Sequence, residues 1–370
     1  MLIISTVSRS LALQSPVSWD IAGERGLELT FAAAEDRWSD ELRRRGSFVP
    51  LAGSRSVDPL ALARLARGLR RLAASADWDL VQVQTPIVAA LWRVIAPARL
   101  RRRTVYVAHG FHFQEGERGP GAAAFRTVER LLAHRAGTVA TVSREDSAWL
   151  TSLPPRLRPD LTWSLPGAGV DVARFRDAGG APPDGVRRPY VLFCGDLNEN
   201  KDPLLAVETV GRCRARHPDL DLVVIGEGPL RPLLERAAES RPWLRLVEST
   251  REMELWVKNA TALLAPSRRE GVPRVIIEAL AAGTPVVARS NRGSRELLAG
   301  GVGAVLPGDA TAEEWASRLA AILGEPPATG RMLERAMSYD VGMYRLSYSR
   351  LLDVMQDAAD HERPRPVLTA

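Results

Sequence analysis

Two doubly wound α/β domains, each a parallel sheet flanked by helices and facing the other across a cleft, are predicted by three observations. The chain has 370 residues, more than one hydrophobic core usually serves, so two domains of roughly 150 to 200 residues are expected. Short apolar runs alternate with longer stretches of helical periodicity, which is the pattern of βαβ units. The alternation breaks once, at residues 176–189, where three glycines and three prolines fall without periodicity, and then restarts.

In the first half, strands are predicted at Leu2–Thr6, Glu28–Ala32, Leu80–Val83, Thr104–Ala108 and Thr138–Val142. Leu60, Leu62, Leu65, Leu69 and Leu72 share one helix face leading into the third of them. In the second half, strands are predicted at Tyr190–Cys194, Leu222–Ile225, Arg245–Val247, Ala262–Ala265, Pro285–Ala288 and Gly303–Val305. Leu346, Leu351, Leu352 and Met355 then repeat at helical spacing, so that a last helix would pack back on the first domain. The expected division is 1–175, a linker at 176–189, a second domain at 190–342, the returning helix at 343–360 and a tail at 361–370.

Apolar residues form 45% and charged residues 25% of the chain, close to the soluble average, which argues against a disordered or fibrous protein. Lys201 and Lys258 are the only lysines among 50 basic residues, so the net charge of +6 reflects an arginine bias and does not point to nucleic acid. Cys194 and Cys213 are too few for a metal cluster and read as reduced thiols. The opening MLIISTV has no charged leader, and no run of about 18 apolar residues occurs, so neither a signal peptide nor a membrane span is expected. A cytoplasmic enzyme is the reading.

Residues 262–288, ALLAPSRREGVPRVIIEALAAGTPVVA, carry the strongest signal. A strand ends at Ala265, a loop follows, Pro273 opens a helix and Gly283 closes it. Such a helix start sits at the carboxyl edge of the sheet, where free amides and the dipole favour phosphate. Glu270 in the loop and Glu278 on the helix can accept hydrogen bonds from sugar and ribose hydroxyls. The plainer alternatives are a solvated Glu278 and a dipole-stabilising Glu270.

This segment resembles the paired-glutamate motif of retaining glycosyltransferase family 4, whose two-domain fold is called GT-B, and the resemblance extends over most of the chain. It implies that Glu270 touches the donor sugar, Glu278 the ribose, and the amides of Gly271, Val272, Pro273, Arg274 and Val275 lie along the sugar and diphosphate. YVLFC runs into GDLNENKD, where Gly195 and Lys201 match the family's diphosphate grip but Asp196 stands at its arginine position. Arg268, Arg269, Arg274 or Arg9 would then supply the missing charge. VVIGEGPL adds Gly226 and Gly228, which permit close backbone approach. In the first domain the family's histidine near the reacting centre corresponds to His109, with His112 the lesser candidate. Ser8 and Arg9 follow the first strand at the acceptor-side loop but lack the family's paired glycines, and QTP at 84–86 is a further loop on that side.

AHGFHF and LNENK resemble the capsular and exopolysaccharide subgroup, which implies a nucleotide-sugar donor, UDP-linked, as co-substrate and a saccharide or lipid-linked acceptor. No cofactor is expected. Asp77-Trp78-Asp79 and Asp219-Leu220-Asp221 each precede a strand, at the edge of the sheet away from the ligand, so no metal is expected either. Arg99, Arg101, Arg102 and Arg103 form a basic cluster suited to an anionic membrane at the inner face of the cell. A transferase acting on a natural product or antibiotic, a sugar-nucleotide epimerase, and a non-catalytic sugar-nucleotide binder remain as alternatives.

Overall fold

A computed structural model describes residues 1–14, 16–52, 58–183, 186 and 189–361. The chain forms two compact units, one of residues 1–169 with 342 onward and one of residues 170–341.

Unit 1 holds strands β1 (Leu2–Val7), β2 (Thr30–Ala34), β3 (Ser47–Pro50), β4 (Val81–Gln84), β5 (Thr104–Ala108), β6 (Thr138–Thr141) and β7 (Leu161–Ser164). They form one sheet in the order β3-β2-β1-β4-β5-β6-β7, every pair parallel. Unit 2 holds β8 (Tyr190–Cys194), β9 (Asp221–Ile225), β10 (Leu244–Val247), β11 (Ala262–Ala265), β12 (Val286–Arg289) and β13 (Ala304–Leu306), in the order β10-β9-β8-β11-β12-β13, again all parallel. Both orders reverse direction beside the unit's first strand, between β1 and β4 and between β8 and β11. In such sheets ligands bind over the carboxyl ends at the reversal.

Two strands lie outside the sequence reading. β3 is an edge strand of four residues with no buried position, and β7 is an edge strand that is nowhere fully buried. Edge strands carry little of the apolar pattern on which the reading depends.

The crossing between units also differs from the expected 175/190 boundary. Val170 and Val172 are fully buried and Phe175 nearly so, all in the core of unit 2. Val170 pairs with the Tyr339–Val341 segment of the same unit through Val170 N to Tyr339 O at 3.2 Å and Val341 N to Val170 O at 2.8 Å. The short helix Val172–Arg176 therefore belongs to unit 2. The segment expected to be a linker is held there too, Asn259 Nδ2 donating to Gly180 O at 3.3 Å; its residues 184, 185, 187 and 188 lie outside the described residues, as do residues 362–370 of the expected tail.

The last helix, Val341–His361, buries Tyr344, Tyr348, Leu351, Leu352 and Met355. Leu346, assigned to the same face from its spacing, is 48% exposed. Tyr344 and Tyr348 take the inward positions instead, stacked at 5.8 Å, and the Tyr348 hydroxyl meets Gln82 of β4. Among the described residues no helix is long and apolar enough to cross a membrane.

The expected basic cluster is partly internal. Arg103 is 5% exposed and shares Asp77 with Arg99, at 3.3 and 2.8 Å, while Arg101 donates to Ala96 O at 2.7 Å. Asp221 likewise meets Arg214, at 3.5 Å. Both Asp-x-Asp pairs thus contain a carboxylate engaged with arginine at the amino edge of a sheet.

Candidate donor site and its relatives

The loops after β8 and β11, the strands flanking the reversal of the second sheet, meet over their carboxyl ends. Lys201 Nζ and a Glu270 carboxylate oxygen are in direct contact there, with side chains 24% and 16% exposed. Burial by itself would lower the lysine's pKa, but Glu270 and then Asp196 outweigh it and hold the ammonium above its ordinary value.

Neither loop is left to its own flexibility. Asn200 O accepts from Arg268 N at 2.8 Å, and the Asn200 side chain both accepts from Arg269 N at 3.1 Å and donates to Arg269 O at 3.0 Å. From the other side, Arg289 Nε donates to Pro266 O at 2.8 Å and Asn291 Nδ2 to Ser267 O at 2.9 Å. Arg289 also reaches Asp202 at 2.6 Å, and Asp202 occupies the left-handed region at φ 53°. Every residue from Pro266 to Arg269 is thereby tied down, which presets the lysine and the carboxylate that follows.

Gly293 completes the clamp. A Cβ there would stand 2.3 Å from Gly271 O and 2.5 Å from Pro273 Cδ, so only glycine lets this helix start support the loop. Gly293→Ala should lower kcat/KM by roughly 10 to 100-fold through displacement of Gly271, with the circular dichroism spectrum unchanged; a wild-type rate would show that the Gly271 position is immaterial.

Helix Arg274–Ala282 begins directly after Pro273 and ends at Gly283, which is left-handed at φ 76°. Pro273 carries no N–H and Ile276 N donates to Pro273 O at 3.1 Å, which leaves Gly271, Val272, Arg274 and Val275 as the amides that the motif implies for an anion at this helix start. Glu278 lies on its second turn, 13% exposed and 3.9 Å from Arg274 Nε. Burial raises its pKa, against Arg274 and Arg174, which lower it. Cys194, at the end of β8, has its thiol pushed up to about 12 by burial and then by Glu278, so it is neither a nucleophile nor an anion at neutral pH.

Gly226 and Gly228 permit close backbone approach within the unit itself. A Cβ on it would lie 2.0 Å from Gly195 O, and one on Gly228 would lie 2.5 Å from Leu197 O. The G-x-G pattern makes room for the neighbouring loop, whose Leu197 N donates to Glu227 O at 2.8 Å. Of the arginines expected to supply the missing charge, Arg268 lies 3.5 Å from Asp202 with its side chain 63% exposed, and Arg274 lies 3.9 Å from Glu278.

In unit 1, β5 delivers His109 to the carboxyl edge of the sheet. Its Nε2 is buried with no hydrogen-bond partner among the described residues, and burial lowers its pKa from 6.5 to about 4. The imidazole is therefore neutral at physiological pH. Because the unfolded chain takes up a proton near 6.5 and the folded one only near 4, the stability this residue confers is complete above pH 6.5. It is lost as the pH falls towards 4. The unfolding free energy of wild type should accordingly drop by up to about 3 kcal/mol more than that of His109→Gln between pH 7 and pH 4; parallel pH profiles in urea titrations would contradict a neutral ring with its Nε2 buried.

His112 is exposed and packs on Phe125 with centroids 4.7 Å apart. Ser8, proposed as an acceptor contact, is fully buried: helix Ser8–Gln14 starts at once after β1, and Ser8 Oγ donates to Ala34 O at 2.7 Å. Its hydroxyl is thus committed to the fold. Arg9, next to it, is partly buried with its amide 3.4 Å from Asp36. In the QTP loop, Thr85 adopts φ 69°, uncommon for a β-branched residue, and its hydroxyl accepts from Thr6 N at 3.1 Å across the β1–β4 reversal.

Asn200, Arg289, Asn291 and Gly293 were not identified from sequence. Asn200 alone carried a local signal, as the residue before a lysine in a lysine-poor chain.

Comparison with known proteins agrees with this architecture. Residues 188–325 match the family profile described as glycosyl transferases group 1, and residues 22–158 match that of glycosyltransferase family 4. The putative glycosyltransferase EpsD of Bacillus subtilis is 26% identical over 314 residues, covering 81% of each chain. The alpha-D-kanosaminyltransferase of Streptomyces kanamyceticus is 27% identical over 43% of each chain. Among solved structures, HepE of Anabaena in complex with UDP-glucose superposes with a TM-score of 0.71 at 16% identity, covering 95% of this chain and 99% of that one. Sucrose-phosphate synthase from Thermosynechococcus elongatus gives 0.71 at 17% identity, covering 96% and 99%. With two parallel reversing sheets, a glutamate-lysine site over the second reversal and both halves of the chain matched, this protein belongs to glycosyltransferase family 4 and has the GT-B fold.

Proposed function

We propose that the chain is a retaining hexosyltransferase that moves a sugar from a UDP-sugar to a hydroxyl of a lipid-linked saccharide in cell-surface polysaccharide assembly. The observation that carries it is the clamped Lys201–Glu270 pair beside the start of helix Arg274–Ala282. A cation and a row of amides suit the diphosphate, and carboxylates suit hydroxyls of the sugar and ribose. A 31% identity over 121 residues to the Vi polysaccharide biosynthesis protein VipC/TviE of Salmonella typhi supports the polysaccharide reading, and the HepE complexes support UDP as the carrier.

In this scheme the acceptor hydroxyl attacks the anomeric carbon on the face that the nucleotide leaves, and the departing phosphate takes its proton. Lys201 and the N–H groups of Gly271, Val272, Arg274 and Val275 stabilise the charge that develops on the diphosphate. Glu270 orients the sugar and Glu278 the ribose, and the His109 imidazole is neutral at the pH of the reaction. No metal or cofactor enters. The 27% identity to an alpha-D-kanosaminyltransferase favours a second reading in which the acceptor is a natural product.

The test begins with thermal shifts in UDP-, GDP-, ADP- and TDP-sugars, since a ligand that binds only the folded protein raises its apparent stability. A selective shift with UDP-sugars identifies the donor. NMR of the transfer product should then show the donor's anomeric configuration, with rates unchanged by EDTA. An inverted product, or conversion of the nucleotide sugar with no acceptor present, would overturn the assignment, the latter in favour of an epimerase.

A further inference from the structure

Lys201 and Glu270 are assigned above to different parts of the donor, the diphosphate and the transferred sugar, yet in the structure they hold each other. The pair is held in place. Lys201 N donates to Asn198 Oδ1 at 3.0 Å, and the loop carrying Glu270 is bonded to Asn200 on both sides of Arg269. Phe193, Cys194, Ala265 and Ser267 line the space around the pair, which amounts to about 10 Å³, the room of about one water.

The surrounding charge works against an incoming anion. Asp196, at the position where the family carries an arginine, adds its negative charge to that of Glu270 in acting on Lys201. A diphosphate approaching Lys201 meets a cation already compensated. Its oxygens must displace the Glu270 carboxylate, which then lies among phosphate charges in a partly dry site unless another donor group takes it up. The hydroxyls of a transferred sugar are such donors. A nucleoside diphosphate has none at that place.

We propose that the Lys201–Glu270 pair makes this site discriminate the intact nucleotide sugar from its nucleoside diphosphate product, with Glu270 as the specificity-determining residue. The carboxylate competes with any bare diphosphate for the lysine, and it is released only when the sugar offers it hydroxyls. Product leaves readily for the same reason. The inference rests on the donor-site reading above and adds a discrimination that this reading does not require.

The experiment is isothermal titration calorimetry of wild type, Glu270→Gln and Lys201→Ala with inorganic pyrophosphate, UDP and UDP-glucose, each variant first checked by circular dichroism and melting temperature. Pyrophosphate carries the diphosphate chemistry without a base, so the result does not depend on the nucleotide. Glu270→Gln should bind pyrophosphate and UDP roughly tenfold tighter than wild type, the scale of one charge-assisted hydrogen bond. The preference of wild type for UDP-glucose over UDP should fall to about one in the variant. If Glu270→Gln binds pyrophosphate no tighter while Lys201→Ala still weakens it, the discrimination is overturned and the donor site stands. If Lys201→Ala binds pyrophosphate as wild type does, the donor site and the discrimination both fall.

Discussion

Lys201→Ala should lower kcat/KM for the nucleotide sugar by roughly 100 to 1,000-fold, the range seen when one preorganised group that stabilises developing charge is removed. The ammonium is the one side-chain cation bonded directly to Glu270 among the described residues. Its removal takes a charge-assisted contact from the diphosphate when negative charge grows there, and leaves Glu270 facing the phosphates. Glu270→Ala should lose turnover on a similar scale, through loss of sugar positioning. The fold should survive in both, because the loop remains held by Asn200, Arg289 and Asn291. Initial rates at saturating acceptor, with melting curves as control, provide the measurement. Wild-type rates in both variants would remove the proposed site.

Glu129→Ala should destabilise unit 1 by about 3 to 5 kcal/mol, the cost of breaking a buried ion pair by removing one partner. Arg93 and Glu129 side chains are 2% and 4% exposed and lie 2.8 Å apart. Tyr106 donates to Glu129 Oε1 at 3.3 Å, and the Arg93 guanidinium sits 4.9 Å over the Tyr106 ring. Without the carboxylate the guanidinium keeps its charge in an apolar core and, among the described residues, retains only the hydrogen bond from Nε to Ala89 O at 3.0 Å. The double change Arg93→Met with Glu129→Leu should cost far less, since it removes both charges together. Urea unfolding followed by a signal specific to unit 1 would show the difference, and a loss below about 1 kcal/mol in Glu129→Ala would mean that water reaches the pair.

The donor site and the acceptor-side candidates were legible to different degrees. Glu270, Pro273, Glu278 and Gly283 lie in one continuous strand-loop-helix unit, so local pattern and capping rules place them without any distant contact. Ser8 looked equally well placed just after a first strand, but helix Ser8–Gln14 begins with no intervening loop and turns its hydroxyl to Ala34. Gly226 fits a ligand-binding pattern yet faces the Gly195 carbonyl. In both cases the neighbour that decided the outcome is about thirty residues away or less, on an adjacent strand or the loop after it, and strand order is not written in local periodicity.

By itself the sequence determined the repeated strand-helix alternation, the second domain's helix opened by Pro273 and closed by Gly283, and the two residues, Lys201 and Glu270, with chemistry suited to a sugar diphosphate. These depend on side-chain period, turn residues and charge, all of which act over a few positions. Only the tertiary structure decided that Lys201 and Glu270, 69 residues apart, hold one another, that Asn200, Arg289, Asn291 and Gly293 clamp their loops, that Val170 to Phe175 belong to unit 2, and that Tyr344 and Tyr348 rather than Leu346 face inward. Those outcomes depend on parallel sheet order bringing strand ends together and on which surface each helix covers, long-range packing to which local periodicity is blind.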